Sequence, residues 1–148
     1  MHFEGTVEIA ASRDKVWAFV IDPTQVGQCG PGVESVEAID ATHFKAKAKV
    51  GIGFISARFV SDGEMKVITA PEQAEVKIHG QAPGSAADAI ATIKLSDGAA
   101  EGTTTMDWAA EVNISGTLAS VGARLIEGTA NKLIAQTFVC MKTKLEAP

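Results

Sequence analysis

The side chains best suited to acid, base or nucleophilic chemistry in this chain are His2, His43, His79, Cys29 and Cys140, and their spacing does not assemble a reaction centre. His79 alternates with Lys77 and Glu75, and His43 with Lys45, which puts both on the wet face of a strand; His2 is terminal. General acid or base work needs a partner group within hydrogen-bond reach, so a solvated surface role is the reading for each. Cys29, beside Gly30, could serve as a nucleophile at a pocket rim, but no inward histidine is available to activate it. The two cysteines have no CxxC or Cys/His neighbourhood, so a structural zinc site has no support and both read as free thiols. Arg58 is the one charge with an ambiguous face, in phase with Phe54 and Val60. It is either a surface arginine lying along apolar neighbours or a polar handle for a ligand's oxygen. Gly51-Ile52-Gly53 matches no phosphate-binding fingerprint, which argues against nucleotide binding. No catalytic residue, metal or cofactor is expected.

At 148 residues the sequence fits a single domain, 1–148, large enough to bury roughly two thirds of its unfolded surface. A hydrophobic fraction of 46% with 21% charged residues is an ordinary globular balance. The net charge of −5 argues against nucleic acid, whose binding draws on Lys and Arg neutralising phosphates. Lys45, Lys47 and Lys49 form a local positive stripe on one strand face. It reads as a solvated face or as a contact for anionic lipid or an acidic partner. Met1-His2-Phe3-Glu4 lacks a signal-peptide layout, and no apolar run approaches the roughly 18 residues of a membrane span, so a cytoplasmic protein is expected.

The elements that must position any site follow from periodicity. Phe3, Gly5, Val7 and Ile9 alternate with Glu4, Thr6 and Glu8, a half-buried strand. Ser12 can cap a helix with Asp14 in its first turn and Val16, Trp17 and Val20 on its buried face; Asp22-Pro23 then starts a second short helix running to about Gln28. Turn signals at Asp40-Ala41-Thr42, Gly51-Ile52-Gly53, Asp62-Gly63, Ala70-Pro71, Pro83-Gly84 and Asp97-Gly98 divide Val33 to Ile114 into about six strands. After Ser115-Gly116 the period becomes helical, through Leu118, Val121, Leu125, Ile126, Ala130, Leu133, Ile134, Thr137, Met141 and Leu145. A long amphipathic helix over Ser115 to Leu145 could span on the order of 40 Å, with Gly122 and Gly128 inside it calling for close packing or for room beside them.

With Phe44 and Trp108 facing that helix, the inward set includes Ala46, Ala48, Ala57, Phe59, Ala74, Val76, Ile78, Ala87, Ala89, Ala91, Ile93, Leu95 and Ala110. Small side chains dominate it, aromatics are 5% of the chain and tyrosine is absent, so little bulk is available to fill the space. Such an interior either holds a ligand or lets the helix sit close on a strongly bent sheet. The set contains no His, Cys, Asp or Glu.

Ser12-Arg13-Asp14-Lys15-Val16-Trp17 through Asp22-Pro23, Gly30-Pro31-Gly32-Val33-Glu34-Ser35-Val36, Val50-Gly51 before Ser56-Ala57-Arg58-Phe59, and above all Gly116 to Leu133 leading to Phe138, give the chain a recognisable pattern. It resembles the family of the carbon monoxide dehydrogenase G-subunit, within the START-like (helix-grip, polyketide cyclase/lipid transport) superfamily. The resemblance implies an α+β helix-grip fold: a curved antiparallel sheet of about seven strands wrapped around a long C-terminal helix, two short helices after the first strand, and an apolar cavity between sheet and helix. It also implies a non-enzymatic accessory protein of a molybdenum hydroxylase of the carbon monoxide dehydrogenase type. Such a protein would bind a hydrophobic small molecule, a quinone or lipid, and link the enzyme to the inner face of the cell membrane by peripheral contact. Many members of the family continue into an apolar tail, whereas this sequence stops at Leu145-Glu146-Ala147-Pro148, so stable anchoring by this chain alone is not expected.

The expected cavity residues are Trp17, Phe54, Phe59, Trp108, Leu118, Val121, Leu125 and Phe138, with Arg58 as polar handle and Pro31, Gly32 and Gly122 shaping the mouth. The alternative is a surface module that recruits or matures the partner enzyme, with Lys45, Lys47 and Lys49 in the contact. A hydrolase or cyclase of the broader superfamily would need polar groups inside the cavity.

Overall fold

The computed structural model describes residues 1–147; Pro148 lies outside the described residues. Strand β1, His2–Ile9, is followed by helices α1, Arg13–Val20, and α2, Pro23–Gly27. Six strands come next: β2 Val33–Ala38, β3 His43–Ile52, β4 Ile55–Thr69, β5 Gln73–Ala82, β6 Ser85–Asp97 and β7 Thr104–Gly116. A 3-10 turn, Thr117–Val121, leads into helix α3, Ala123–Glu146. The strands form one seven-stranded antiparallel sheet in the order β1-β7-β6-β5-β4-β3-β2. It is a START-like, helix-grip arrangement. The two helices between β1 and β2 carry the chain from one edge of the sheet to the other.

Both short helices start where side-chain chemistry satisfies their free N–H groups. The Ser12 hydroxyl accepts from the Lys15 N–H at 3.3 Å, and the Asp22 carboxylate accepts from the Thr24 N–H at 3.0 Å with Pro23 in the first turn. Val16, Trp17, Phe19 and Val20 of α1 are buried. They join Ile9, Met65, Leu95, Met106, Met141 and Leu145 in a core of bulky side chains at one end of the sheet. A second, smaller cluster at the other end contains Ile52, Phe59, Leu118 and Ile126.

Three expectations are corrected. Asp62-Gly63 is not a turn: both residues lie inside β4 and pair with β3 and β5, and the glycine is there because the Phe44 ring occupies the space its Cβ would need. The C-terminal helical segment is not continuous from Ser115: Gly122, at φ 103°, breaks it, and α3 begins at Ala123. A backbone in that region is strained for any residue with a Cβ, so the glycine sets the break. Gly128 lies within α3 with open space around it rather than in close packing. The two cysteines are not free thiols. Cys29 and Cys140 form a disulfide with their Cα atoms 5.4 Å apart, tying the segment after α2 to the C-terminal half of α3. The pairing joins positions 111 residues apart, so no local spacing announces it.

Candidate functional site

The concave face of the sheet changes character along its length. Where α1 and the end of α3 cover it, Trp17, Phe19, Met65, Leu95, Met106 and Met141 fill the interior. Beneath the first half of α3 the facing positions are small, and a cavity of about 230 Å³ opens there. Its floor is Ala48, Val50 and Ile52 of β3, Phe59 and Ser61 of β4, Ile78 and Gly80 of β5, Ala87 and Ala89 of β6, and Ile114 of β7. Its roof is Leu118 together with Ile126, Thr129, Ala130 and Leu133 of α3. The floor residues follow the two-residue period of their strands, and the α3 residues follow the three- and four-residue spacing of one helix face.

No titratable side chain lines this space; Ser61 and Thr129 supply its only polar side chains. The Thr129 hydroxyl donates to the Leu125 carbonyl at 3.0 Å, a bond within the helix. Such a wall offers neither an acid–base pair nor a nucleophile with an activating group, and no cluster of potential metal ligands occurs among the described residues. The shifted acids and bases lie elsewhere. A hydrogen bond to Glu111 raises the pKa of His2, and one to Asp40 raises that of His43; backbone N–H donation from Thr42, followed by the His43 ring, holds the Asp40 carboxyl well below the usual carboxylate range. The Thr24 hydroxyl lowers Asp22 through the cap of α2. All of these groups sit on the surface or at a helix cap, away from the cavity.

The residues singled out from sequence are distributed over three environments. Phe59 and Leu118 line the cavity, and Val121 packs against the cluster that bounds it. Trp17 is buried in the bulky core at the other end, where Phe138 also packs, and the Trp108 ring lies 5.4 Å from that of Phe138. The remainder is at the surface. Phe54 is fully exposed in the turn between β3 and β4, and Leu125 is partly exposed nearby, its Cδ2 2.9 Å from where a Cβ on Gly53 would stand. Arg58 points outward: its Nε and Nη2 donate to the Glu34 carboxylate at 2.8 and 3.2 Å. Strand alternation accounts for this, since an inward Phe59 turns Arg58 to the opposite face. Gly32, at φ 81°, sits on the backbone of β3, its carbonyl accepting from the Lys49 N–H at 2.8 Å, and Pro31 precedes it in that edge connection. Gly122 is the break before α3. Ser61, Gly80 and Thr129 line the cavity without being singled out by the sequence, although the phase that turns Phe59 inward turns Ser61 inward as well; Ile126 lines it from the apolar stripe of α3.

A sequence profile for CoxG, the G-subunit of carbon monoxide dehydrogenase, matches residues 5–146, nearly the whole chain. The chain belongs to the CoxG family. Membership supports an accessory role beside carbon monoxide dehydrogenase. No curated protein matches this CoxG-family chain by sequence. Among solved structures it is similar to a conserved protein from Geobacillus kaustophilus, at 22% identity and TM-score 0.89, covering 99% of this chain and 95% of that one. It is also similar to the Zhui aromatase/cyclase from Streptomyces sp. R1128, at 14% identity and TM-score 0.72, with 99% and 93% covered. A START superfamily protein from Mycobacterium smegmatis aligns at 13% identity and TM-score 0.70, with 98% and 97% covered. At these identities the likenesses show the fold, a START-like helix grip. No helix among the described residues of this CoxG-family protein is long and apolar enough to cross a membrane.

Proposed function

We propose that this CoxG-family protein is a non-enzymatic carrier that shelters a neutral apolar ligand of the quinone class in the cavity beneath α3 and works beside a molybdenum hydroxylase of the carbon monoxide dehydrogenase type. The observation that carries the reading is the cavity itself: about 230 Å³, walled by aliphatic and aromatic carbon and free of titratable groups. An engineered void of roughly 150 Å³ accepts benzene, so this one has room for a larger ring system, with any long tail projecting out.

The surface supports peripheral contact with a membrane as part of the same reading. Phe54 is fully exposed beside Leu125, and Ile52 and Ile126, close to them in the chain, line the cavity, so this apolar tip stands at the cavity's own end. Lys49, at the tip end of β3, and Arg124, which precedes Leu125, give this end basic residues suited to anionic headgroups.

The reading is tested by titrating the purified chain with a short-tailed quinone while following tryptophan fluorescence and thermal stability. Saturable quenching with a rising midpoint supports the carrier; a flat response from folded protein free of co-purified lipid sinks it. Flotation with anionic vesicles tests the membrane face, since Phe54→Asp should reduce binding without changing the melting temperature. The exposed stripe of Lys45, Lys47 and Lys49, which makes no ion pair among the described residues, is the observation favouring a protein-recruiting surface instead. Charge reversal there would then weaken a complex with the hydroxylase.

A further inference from the structure

We infer that Ser61 is the polar anchor of the cavity and that its ligand is neutral and presents a hydrogen-bond-accepting oxygen, such as a ring carbonyl, to the Ser61 hydroxyl. The inference rests on the carrier reading and adds to it the residue that orients the ligand. Ser61 lies on β4 opposite Ala46 of β3 and Gly80 of β5, near the middle of the concave face. Its Oγ stands 2.7 Å from where a Cβ on Gly80 would be, so the absence of a side chain at position 80 leaves space for the hydroxyl. No side-chain hydrogen bond of Ser61 is formed among the described residues, and no buried side-chain oxygen there is left without a partner. The Ser61 oxygen is therefore accessible from the cavity it lines rather than sealed in protein.

Thr129, the other hydroxyl in the wall, commits its proton to the Leu125 carbonyl and keeps only acceptor capacity. That leaves Ser61 as the donor inside the cavity. Small-molecule sites are mostly apolar with a few placed polar groups that fix orientation, and a single donor selects a single acceptor. A carboxylate is a poor match, because no cation lines the space to compensate its desolvation. Arg58, the cation nearest in sequence, is turned to the outer face and held by Glu34.

The test compares 2-methyl-1,4-naphthoquinone with 2-methylnaphthalene, which share a ring skeleton and differ in the carbonyl oxygens, using calorimetry on wild type, Ser61→Ala and Ser61→Thr. Losing one neutral hydrogen bond should weaken the quinone by roughly threefold to tenfold in Ser61→Ala while the hydrocarbon stays within about twofold. Ser61→Thr should restore quinone binding. Equal weakening of both probes, or no change in either, would make Ser61 plain wall and overturn the assignment while leaving the carrier reading standing. If folded wild type binds neither probe, the carrier reading fails and takes this inference with it.

Discussion

The rings of Trp108 on β7 and Phe138 on α3 lie 5.4 Å apart, tilted by 42°. On α3, residues up to Leu133 line the cavity, while Phe138, Met141 and Leu145 belong to the bulky core; on β7, Ile114 faces the cavity and Met106 the core. Neither ring lines the cavity, so the pair stands on the core side of the change from filled to open interior. Phe138→Ala should remove the contact. We expect a loss of about 3 kcal/mol, the low end for such a truncation because the ring is half-buried. At a few degrees per kcal/mol for a chain of this size, the melting temperature should fall by about 6–12 °C. The variant should also accept ligands too large for the wild type, and unchanged ligand selectivity in a destabilised variant would show that the pair is packing alone.

The Cys29–Cys140 disulfide should be a principal source of stability, since it closes a loop of 111 residues. On the chain-entropy account a loop of that size gives up to about 4–5 kcal/mol, so Cys140→Ser should lower the melting temperature by about 10 °C or more. Reducing the wild type should reproduce the shift. Thiol counting before and after reduction is the direct check, and two titratable thiols in the native, unreduced protein would show the bond is not made.

Filling the cavity should separate binding from folding. Ala89 of β6 lines the space, and Ala89→Leu adds apolar bulk where there is room for it. Stability should hold or rise by about 1 kcal/mol, as cavity-filling changes commonly do, whereas quinone affinity should fall by more than about tenfold. Undiminished binding by Ala89→Leu would mean the ligand sits elsewhere.

Titration of His43 should leave ligand binding untouched. His43 is held above its ordinary value of 6.5 chiefly by its hydrogen bond to Asp40. A raised folded-state pKa means that this pair's contribution is fully present below the unfolded value and fades as pH rises through the folded one. The partner shift has the opposite sign: Asp40 is lowered, so its contribution is present above its ordinary 3.8 and fades as pH falls. Imidazole resonances followed by NMR should give His43 a midpoint above 6.5 that drops in Asp40→Asn, with quinone affinity constant through the same range. A ligand affinity that tracked this midpoint would place a titrating group at the cavity after all.

The fold was largely legible because its signals are local. Alternation in β3 through β7 turned Ala48, Phe59, Ile78, Ala87 and Ala89 inward, and Ser12, Asp22 and Pro23 announced the two short helices. Each of these depends on a residue and its immediate neighbours, so it can be read without knowing what lies across the sheet. The same alternation, followed through, turns Arg58 outward and Ser61 inward beside Phe59, a step the sequence reading left open for Arg58 and did not take for Ser61.

What the sequence by itself determined, then, is the order of the elements and the inward phase of the strands; it left the face of Arg58 open and put Phe54 and Leu125 in the cavity, where the structure has them at the surface. Only the tertiary structure decided which inward residues meet bulk and which meet space. Trp17 and Phe59 are both inward and buried, yet Trp17 packs among Phe19, Met106 and Met141 while Phe59 borders the void under α3. It also decided that Phe54 projects from a turn and that Cys29 reaches Cys140. The physical reason is common to all of these. Volume and pairing depend on residues brought together from distant parts of the chain, and a period of two or of 3.6 carries no information about them.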